Sequence, residues 1–304
     1  MRGVAMIQVL AWPNLVDAWD DVRTHKGAPG VDRVSVRRWG RNWEERLVEL
    51  RRAVMGNTYV PAPLRRFRVR KSSGGYRQLT NLTVTDKVLQ RAVLNVLDHL
   101  FDAQFLPCSY GYRQGRSCAD AVEAICIYRD AGLRWVLDAD IDECFDSLDH
   151  ALIMEFVSSQ VADPIVLRLI AGWLQVGRRD PDLPRGIPLG AVISPLLCNI
   201  TLHRLDLALA GGGWREVRYA DDFVVLCATE EEAHSARQAA AEALAPLHLR
   251  LEPHKTAITH FDRGFKYLGV HFQGNEYTYV WERKRITVKG DFPDFLFAYG
   301  PEYE

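Results

Sequence analysis

The chain has 304 residues, 48% hydrophobic and 25% charged, with a net charge of −1, a balance that excludes a disordered or fibrous chain and fits one large or two modest globular domains. Its six cysteines, Cys108, Cys118, Cys126, Cys144, Cys198 and Cys227, show no CxxC spacing, so neither a zinc site nor a disulfide framework is indicated. No apolar run is long enough to span a bilayer, and the N-terminal stretch, interrupted by Gln8, lacks a small-residue cleavage site, so the cytoplasm is the expected setting and no membrane partner is expected.

From about 14 to 55, helical patterns flank a Gly-rich break, Lys26-Gly27-Ala28-Pro29-Gly30-Val31-Asp32. After it, Trp39, Trp43, Leu47 and Leu50 recur every three or four residues, which predicts an amphipathic helix with its arginines outside. Between Arg37 and Arg77 twelve Lys or Arg stand against three Glu, so the small net charge hides a basic front. Residues 65–71, Ser72-Ser73-Gly74-Gly75 and 76–80 read as a β-hairpin with Arg66, Arg68 and Arg70 on one face. Alternate arginines on a strand fit a solvated edge that resists aggregation. They also fit a clamp for phosphates.

A helix is expected at 85–101, with Val88, Val93, Leu94 and Leu97 as its buried stripe, then a loop rich in Gly, aromatics and Arg at 109–117 and a helix at 118–129. Residues 134–140 read as a buried strand ending on Asp140, where a carboxylate is costly unless it is paired or metal-bound. Helices follow at 151–176, a tight loop at Gly186-Ile187-Pro188-Leu189-Gly190, and a long helix at 192–209. Tyr219-Ala220-Asp221-Asp222 lies between Val217 and the apolar run Phe223-Val224-Val225-Leu226, as the tip of a β-hairpin carrying two adjacent acids. By itself the pair fits an ordinary turn better than a catalyst; a divalent cation between the acids would relieve their repulsion. A helix at 230–247 and strands at 249–251, 256–258 and 265–272 complete the pattern.

The order strand, helices, hairpin, helix, strand is that of a split βαβ sheet with helices on one face. Neighbouring strands are about 4.8 Å apart, so Asp140 and the Asp pair could share two metal ions about 3.5–4 Å apart, as in-line attack at phosphorus requires.

Segments 26–32, 71–77, 109–117, 140–150, 186–202, 219–222, 251–256 and 265–272, taken in this order, carry a resemblance to a known family. The chain resembles the bacterial reverse transcriptases related to group II intron proteins. The resemblance implies an α+β right-hand polymerase fold: fingers with an N-terminal helical extension at 1–134, a ferredoxin-like palm at 135–272, and a short tail or thumb remnant at 273–304. The thumb would be reduced or absent, with no room for a maturase domain. Asp140 and Asp221 would be metal ligands for Mg²⁺, with Mn²⁺ as substitute, and Asp222 would assist. At the incoming nucleotide, Lys71 and Arg77 would hold the triphosphate and Phe145 would block a ribose 2′-hydroxyl, beside Ile141, Leu189 and Gly190. On nucleic acid, the resemblance points to Arg66, Arg68, Arg70, Arg113 and Lys255, with Tyr267, Leu268 and Gly269 at the primer end.

Read without the resemblance, Phe145 fits plain core, Lys255 a surface turn, and His150 and His254 structural roles. Leu189 stands where related enzymes usually carry Gln, which removes a polar side chain from the loop and leaves the acids intact. The expected activity is extension of a DNA or RNA primer with dNTPs on an RNA template, and on single-stranded DNA. CRISPR spacer acquisition or antiphage defence is the expected setting, with a protein partner or a structured non-coding RNA in place of the thumb. The competing expectation is a catalytically idle polymerase fold acting as an RNA-binding scaffold, against which the retained acids speak.

Overall fold

The computed structural model describes residues 6–25, 27–70, 75–178, 182–281 and 284–289. Two compact units are present, Met1–Gln104 with Cys144–Thr201 and Phe105–Glu143 with Leu202–Glu304. Both are discontinuous in sequence.

In chain order the first unit opens with α1 (Met6–Val9) and α2 (Trp12–Thr24). Pro13 stands in the first turn of α2, where its missing N–H is harmless, and Leu15, Ala18, Trp19 and Val22 form the buried stripe. The expected tryptophan helix forms in two pieces, α3 (Val36–Trp39) and α4 (Trp43–Met55), joined by a 3₁₀ turn at Gly40–Asn42. Then come β1 (Arg65–Arg70) and β2 (Tyr76–Asn81), paired antiparallel from Arg65 opposite Asn81 to Arg70 opposite Tyr76. Every residue of β1 is exposed, so the arginine face and the face of Phe67 and Val69 are both open. Residues 71–74, expected as the end of the first strand and part of the turn, lie outside the described residues.

The helix α5 (Val84–Asp102) is capped by Thr83, whose side chain accepts from the Asp86 amide, and buries Val88, Leu89, Ala92, Val93 and Leu97. In the second unit, a capping box of Ser117 and Asp120 starts α6 (Cys118–Asp130), which leads into β3 (Trp135–Asp140). Back in the first unit, α7 (Cys144–Ser147), α8 (His150–Ser158) and α9 (Pro164–Gly177) follow, the last two capped by Asp149 and Asp163. The 186–190 loop precedes α10 (Ser194–Gly211), and the second unit resumes at Leu202.

The central sheet adds β4 (Arg215–Tyr219), β5 (Asp222–Cys227) and, after α11 (Glu230–Leu244), β6 (Ala257–His260). The strand order is β4-β5-β3-β6 with every pair antiparallel, which is the expected split βαβ arrangement. Side chains alternate across it, so Val136, Asp138 and Asp140 share a face with Val217, Asp222, Val224 and Leu226. Val136, Val217, Val224 and Leu226 pack there with Ala121, Val122, Ile125 and Cys126 of α6. The connecting helices take the other face: α11 packs on β3, β5 and β6 with Ala233, Ala236, Ala240 and Leu244 buried, and Asp206 of α10 meets Arg218.

The stretch expected as one strand at 265–272 is two. Leu268 and Gly269 have φ of 49° and 76°, a two-residue hairpin turn that sets Tyr267 of β7 (Phe265–Tyr267) opposite Val270 of β8 (Val270–Gln273). The expected tail also begins with structure: β9 (Glu276–Trp281) and β10 (Lys284–Lys289) complete an antiparallel sheet in the order β10-β9-β8-β7. Tyr277 and Tyr279 join Phe261, Phe265 and Phe272 in the α6 core, because aromatic residues alternate along these strands. Residues 290–304 lie outside the described residues. No helix among the described residues is long and apolar enough to cross a membrane.

Candidate active site

Asp140, the last residue of β3, lies directly opposite Asp222, the first residue of β5. Asp221 precedes Asp222 in the hairpin turn, where Tyr219 pairs with Asp222 and Ala220 takes a φ of 60°. Two of the three acids expected to act together are thus on the paired strands β3 and β5 of one unit, and the third is in the turn that enters β5. Asp138, not singled out from the sequence, joins them. It is two residues before Asp140 on the same strand, so its side chain takes the same face.

Burial first, and then the charges of Asp138, Asp140 and Asp221, push the Asp222 carboxyl up to about 8, with Lys255 opposing. Burial, followed by the charge of Asp140, pushes Asp138 up to about 6. Neither carboxylate has a hydrogen-bond or ion-pair partner among the described residues. Partly buried acids in this condition require protons or a cation, and an all-oxygen donor set suits a hard divalent ion. The residues therefore fit a metal. Lys255 forms an ion pair with Asp140, and that bond holds its ammonium above the ordinary lysine range.

The segment after α11 returns beside this edge. Leu251 bridges Ile141, the Asp142 amide donates to the Arg250 carbonyl at 2.9 Å, and the Glu252 amide donates to the Asp140 carbonyl at 2.8 Å. Arg250 grips the Asp142 carboxylate with Nε and Nη2 at 2.8 and 2.6 Å. Lys255 is therefore delivered to the acids by a turn, residues 253–255, that follows a segment tied to the end of β3. The Ile141 side chain is buried, so a nucleotide would meet only its backbone.

Two residues expected on nucleic acid turn inward. The Tyr267 side chain is 2% exposed, and its hydroxyl lies 3.1 Å from the carbonyls of both Val217 and Asp222. Arg113 donates to the carbonyls of Leu106 and Ser109, 2.9 Å each, with its guanidinium 5.4 Å from the Phe105 ring centre. It braces the 109–117 loop, whose Gly111 is pressed against the hairpin turn; a Cβ there would come 2.4 Å from the Ala220 nitrogen.

In the first unit, Phe145 of α7 is 8% exposed. The Leu189 carbonyl accepts from the Thr80 amide at 2.9 Å and its hydroxyl at 2.7 Å, which pins the loop to β2 by its backbone. Gly190, at φ 98°, leaves no room for a Cβ, which would fall 2.6 Å from the Thr80 carbonyl oxygen. Arg66, Arg68 and Arg70 stand on the exposed strand, and Arg66 donates to the Arg178 carbonyl. Lys71 and the side chain of Arg77 lie outside the described residues.

Behind the hairpin, on the α10 face, Cys108, Asp206 and Glu216 bring ligand-type atoms within 4.8 Å of one another. Arg218 donates to both oxygens of Asp206 at 2.6 and 2.7 Å, so a cation there would meet a fixed positive charge. Burial, then the neighbouring Asp206 charge, drives the Glu216 carboxyl far above its ordinary range. Burial thus favours the neutral form of Glu216, and Asp206 already has the Arg218 guanidinium as its counter-charge.

Residues 69–272 match the family described as Reverse transcriptase (RNA-dependent DNA polymerase). The chain belongs to the reverse transcriptase family. The family's reaction is RNA-directed DNA synthesis, a nucleotidyl transfer, and the α+β fingers-and-palm fold expected from the sequence is the one found. Protein YkfC of Escherichia coli (strain K12) is 30% identical, over 88% of this chain and 83% of its own length, so the likeness runs through most of both proteins. Group II intron-encoded protein LtrA of Lactococcus lactis subsp. cremoris is 34% identical, but over 54% of this chain and 28% of LtrA, so only part of that protein is represented. Among solved structures, apo telomerase from Candida tropicalis truncated from its C-terminal domain aligns with a TM-score of 0.53 at 11% identity. That alignment covers 76% of this chain and 58% of the telomerase chain and speaks to the reverse transcriptase fold alone.

Proposed function

We propose that this chain extends a primer with dNTPs on an RNA template, by attack of the primer 3′-hydroxyl on the α-phosphate with pyrophosphate leaving. The observation that carries the reading is the opposition of Asp140 and Asp222 across β3 and β5, with Asp221 beside them at the turn. Asp140, Asp221 and Asp222 would hold Mg²⁺ or Mn²⁺, which when bound supplies charge neutralisation and activation of the attacking hydroxyl. Lys255 keeps Asp140 paired and oriented. Phe145 is assigned to excluding the ribose 2′-hydroxyl, Lys71 and Arg77 to the triphosphate, and the backbone of Leu189 and Gly190 to the nucleotide. The exposed Arg66, Arg68 and Arg70 offer a row of cations to template phosphates.

Primer extension on a primed RNA template with Mg²⁺ tests this. Wild type should extend and Asp221→Ala should lose at least about a hundredfold in rate. Wild-type protein that binds the RNA without extending the primer would instead be a scaffold. For the setting we infer the cytoplasm and a role in antiphage defence or CRISPR spacer acquisition, with a protein or structured RNA as partner, on the sequence resemblance. Deletion in the native host, scored by phage survival and spacer uptake, tests that setting.

A further inference from the structure

Arg218 stands one residue before Tyr219, on the face of β4 turned away from Asp222, and its side chain has no solvent exposure. Its guanidinium makes a set of bonds that point in three directions. Nε and Nη2 donate to Oδ1 and Oδ2 of Asp206 at 2.6 and 2.7 Å, and Nη2 also donates to Ser109 Oγ at 2.8 Å. Nη1 donates to the carbonyl of Ala220 at 2.9 Å. The Arg218 backbone is tied as well: its amide donates to the Cys108 carbonyl and its carbonyl accepts from the Tyr110 amide, both at 2.8 Å.

A buried ion pair is poor value as a stabiliser, because desolvating both charges offsets most of their attraction and apolar side chains of similar volume serve as well. The geometry at Ala220 supplies a different reason for the pair. With φ at 60°, Ala220 occupies the left-handed region, where its Cβ crowds the following carbonyl oxygen. Its carbonyl is turned inward to the Arg218 fork, and the peptide that begins with this carbonyl ends at the nitrogen of Asp221. Gly111, pressed against the Ala220 nitrogen, closes the other side. The turn is thus gripped at both of its peptide groups by buried atoms.

We propose that Arg218, held in place by Asp206, is a positioning residue for nucleotidyl transfer: it fixes the Ala220–Asp221 peptide and so the direction in which the Asp221 carboxylate is presented. The inference rests on the polymerase reading above. Lysine cannot replace this arginine, since one ammonium on a flexible stem does not reproduce a planar fork bonded to Asp206, Ser109 and Ala220 together.

The experiment compares Arg218→Lys with Glu216→Gln, a neighbour in the same buried cluster that does not touch Ala220, in the full chain. Three readouts are taken: thermal melting by circular dichroism, steady-state primer extension, and Mn²⁺ affinity by electron paramagnetic resonance. Arg218→Lys should remain folded, lose about tenfold or more in kcat with KM for dNTP within about twofold, and bind Mn²⁺ about tenfold more weakly. Glu216→Gln should leave kcat within about twofold of wild type. The paired change Asp206→Arg with Arg218→Asp restores neutrality but not the bond to Ala220, and kcat should not recover. Turnover and Mn²⁺ affinity of Arg218→Lys equal to wild type would overturn the proposal, as would a Lys variant that fails to fold while Glu216→Gln folds, since either makes Arg218 a core residue only. If wild type itself extends no primer, the polymerase reading fails, and Mn²⁺ affinity alone decides whether Arg218 positions Asp221.

Discussion

The Tyr267 hydroxyl and the Asp222 carbonyl are 3.1 Å apart, and the same hydroxyl is 3.1 Å from the Val217 carbonyl. A phenol has one hydrogen to donate, so the two strands of the hairpin that carries Asp221 and Asp222 share it at the level of their backbones. Removing it leaves two buried acceptors competing for nothing. Tyr267→Phe should therefore lower stability by about 1–3 kcal/mol in urea unfolding, with a secondary fall in turnover as the hairpin loosens. Wild-type stability in the Phe variant would show that water replaces the hydroxyl.

The acids make a pH prediction for protein kept free of divalent ions. Asp222 is raised to about 8 and Asp138 to about 6, while an unfolded Asp titrates near 3.9. Between these values the folded chain holds protons that the unfolded chain has released, so stability is greatest below about pH 4 on this account and falls as pH rises through 6 and then 8. Melting temperature in chelator should decline from pH 5 to 8.5, and Asp222→Asn should flatten the upper half of the decline. Added Mn²⁺ should raise the melting temperature more at pH 8 than at pH 5. A flat profile in wild type would contradict the burial of these charges.

Asp138→Asn separates the two acids. It removes one of the charges that raise Asp222, so the midpoint of the upper titration should move to lower pH, read by the same melts or by carboxyl chemical shifts. An unmoved midpoint would mean that Asp138 does not act on Asp222, leaving burial, Asp140 and Asp221 to set its value.

Phe145 is core by burial and a ribose gate by resemblance, and the two roles have different signatures. Phe145→Val should cost about 1–4 kcal/mol for the lost packing. As a gate, it should also raise ribonucleotide use relative to deoxynucleotide use by about 10- to 100-fold. A loss of stability with unchanged discrimination would leave only the core role.

The arginines of β1 predict salt dependence. Each of Arg66→Gln, Arg68→Gln and Arg70→Gln should reduce the slope of log affinity against log salt for primed template by about 1, with similar effects on unrelated sequences. Unaltered slopes would make the strand a solvated edge.

The sequence exposed some of this arrangement because apolar runs change abruptly to acids at Asp140 and Asp221, and a carboxylate ending a buried strand has few inexpensive explanations. Asp138 was legible in principle by the two-residue period of a strand, but its apolar neighbours Leu137 and Ala139 drew it into the core reading. Arg218 was not legible. Its partner Asp206 is twelve residues away on another element, and a lone arginine in a strand reads as surface until the fold buries it. The break at Leu268-Gly269 had one local sign, Gly269, but leucine rarely accepts a positive φ, so a two-residue turn centred on Leu268 and Gly269 is not the expected reading of that glycine. The hairpin of β9 and β10 was passed over for a related reason: its alternating tyrosines gain a buried face only against α6 and β8, a contact far away in sequence.

The pairing of β3 with β5 joins two properties that are usually separable. Sliding either strand by one residue would turn Asp222 toward α11 and, in the same motion, send Val224 and Leu226 out of the α6 core. The register that packs Val224 and Leu226 against α6 is therefore the same register that sets Asp222 opposite Asp140. A substitution that disturbs that packing disturbs the acids with it, so the hydrophobic core beneath α6 also works as the alignment gauge of the carboxylates.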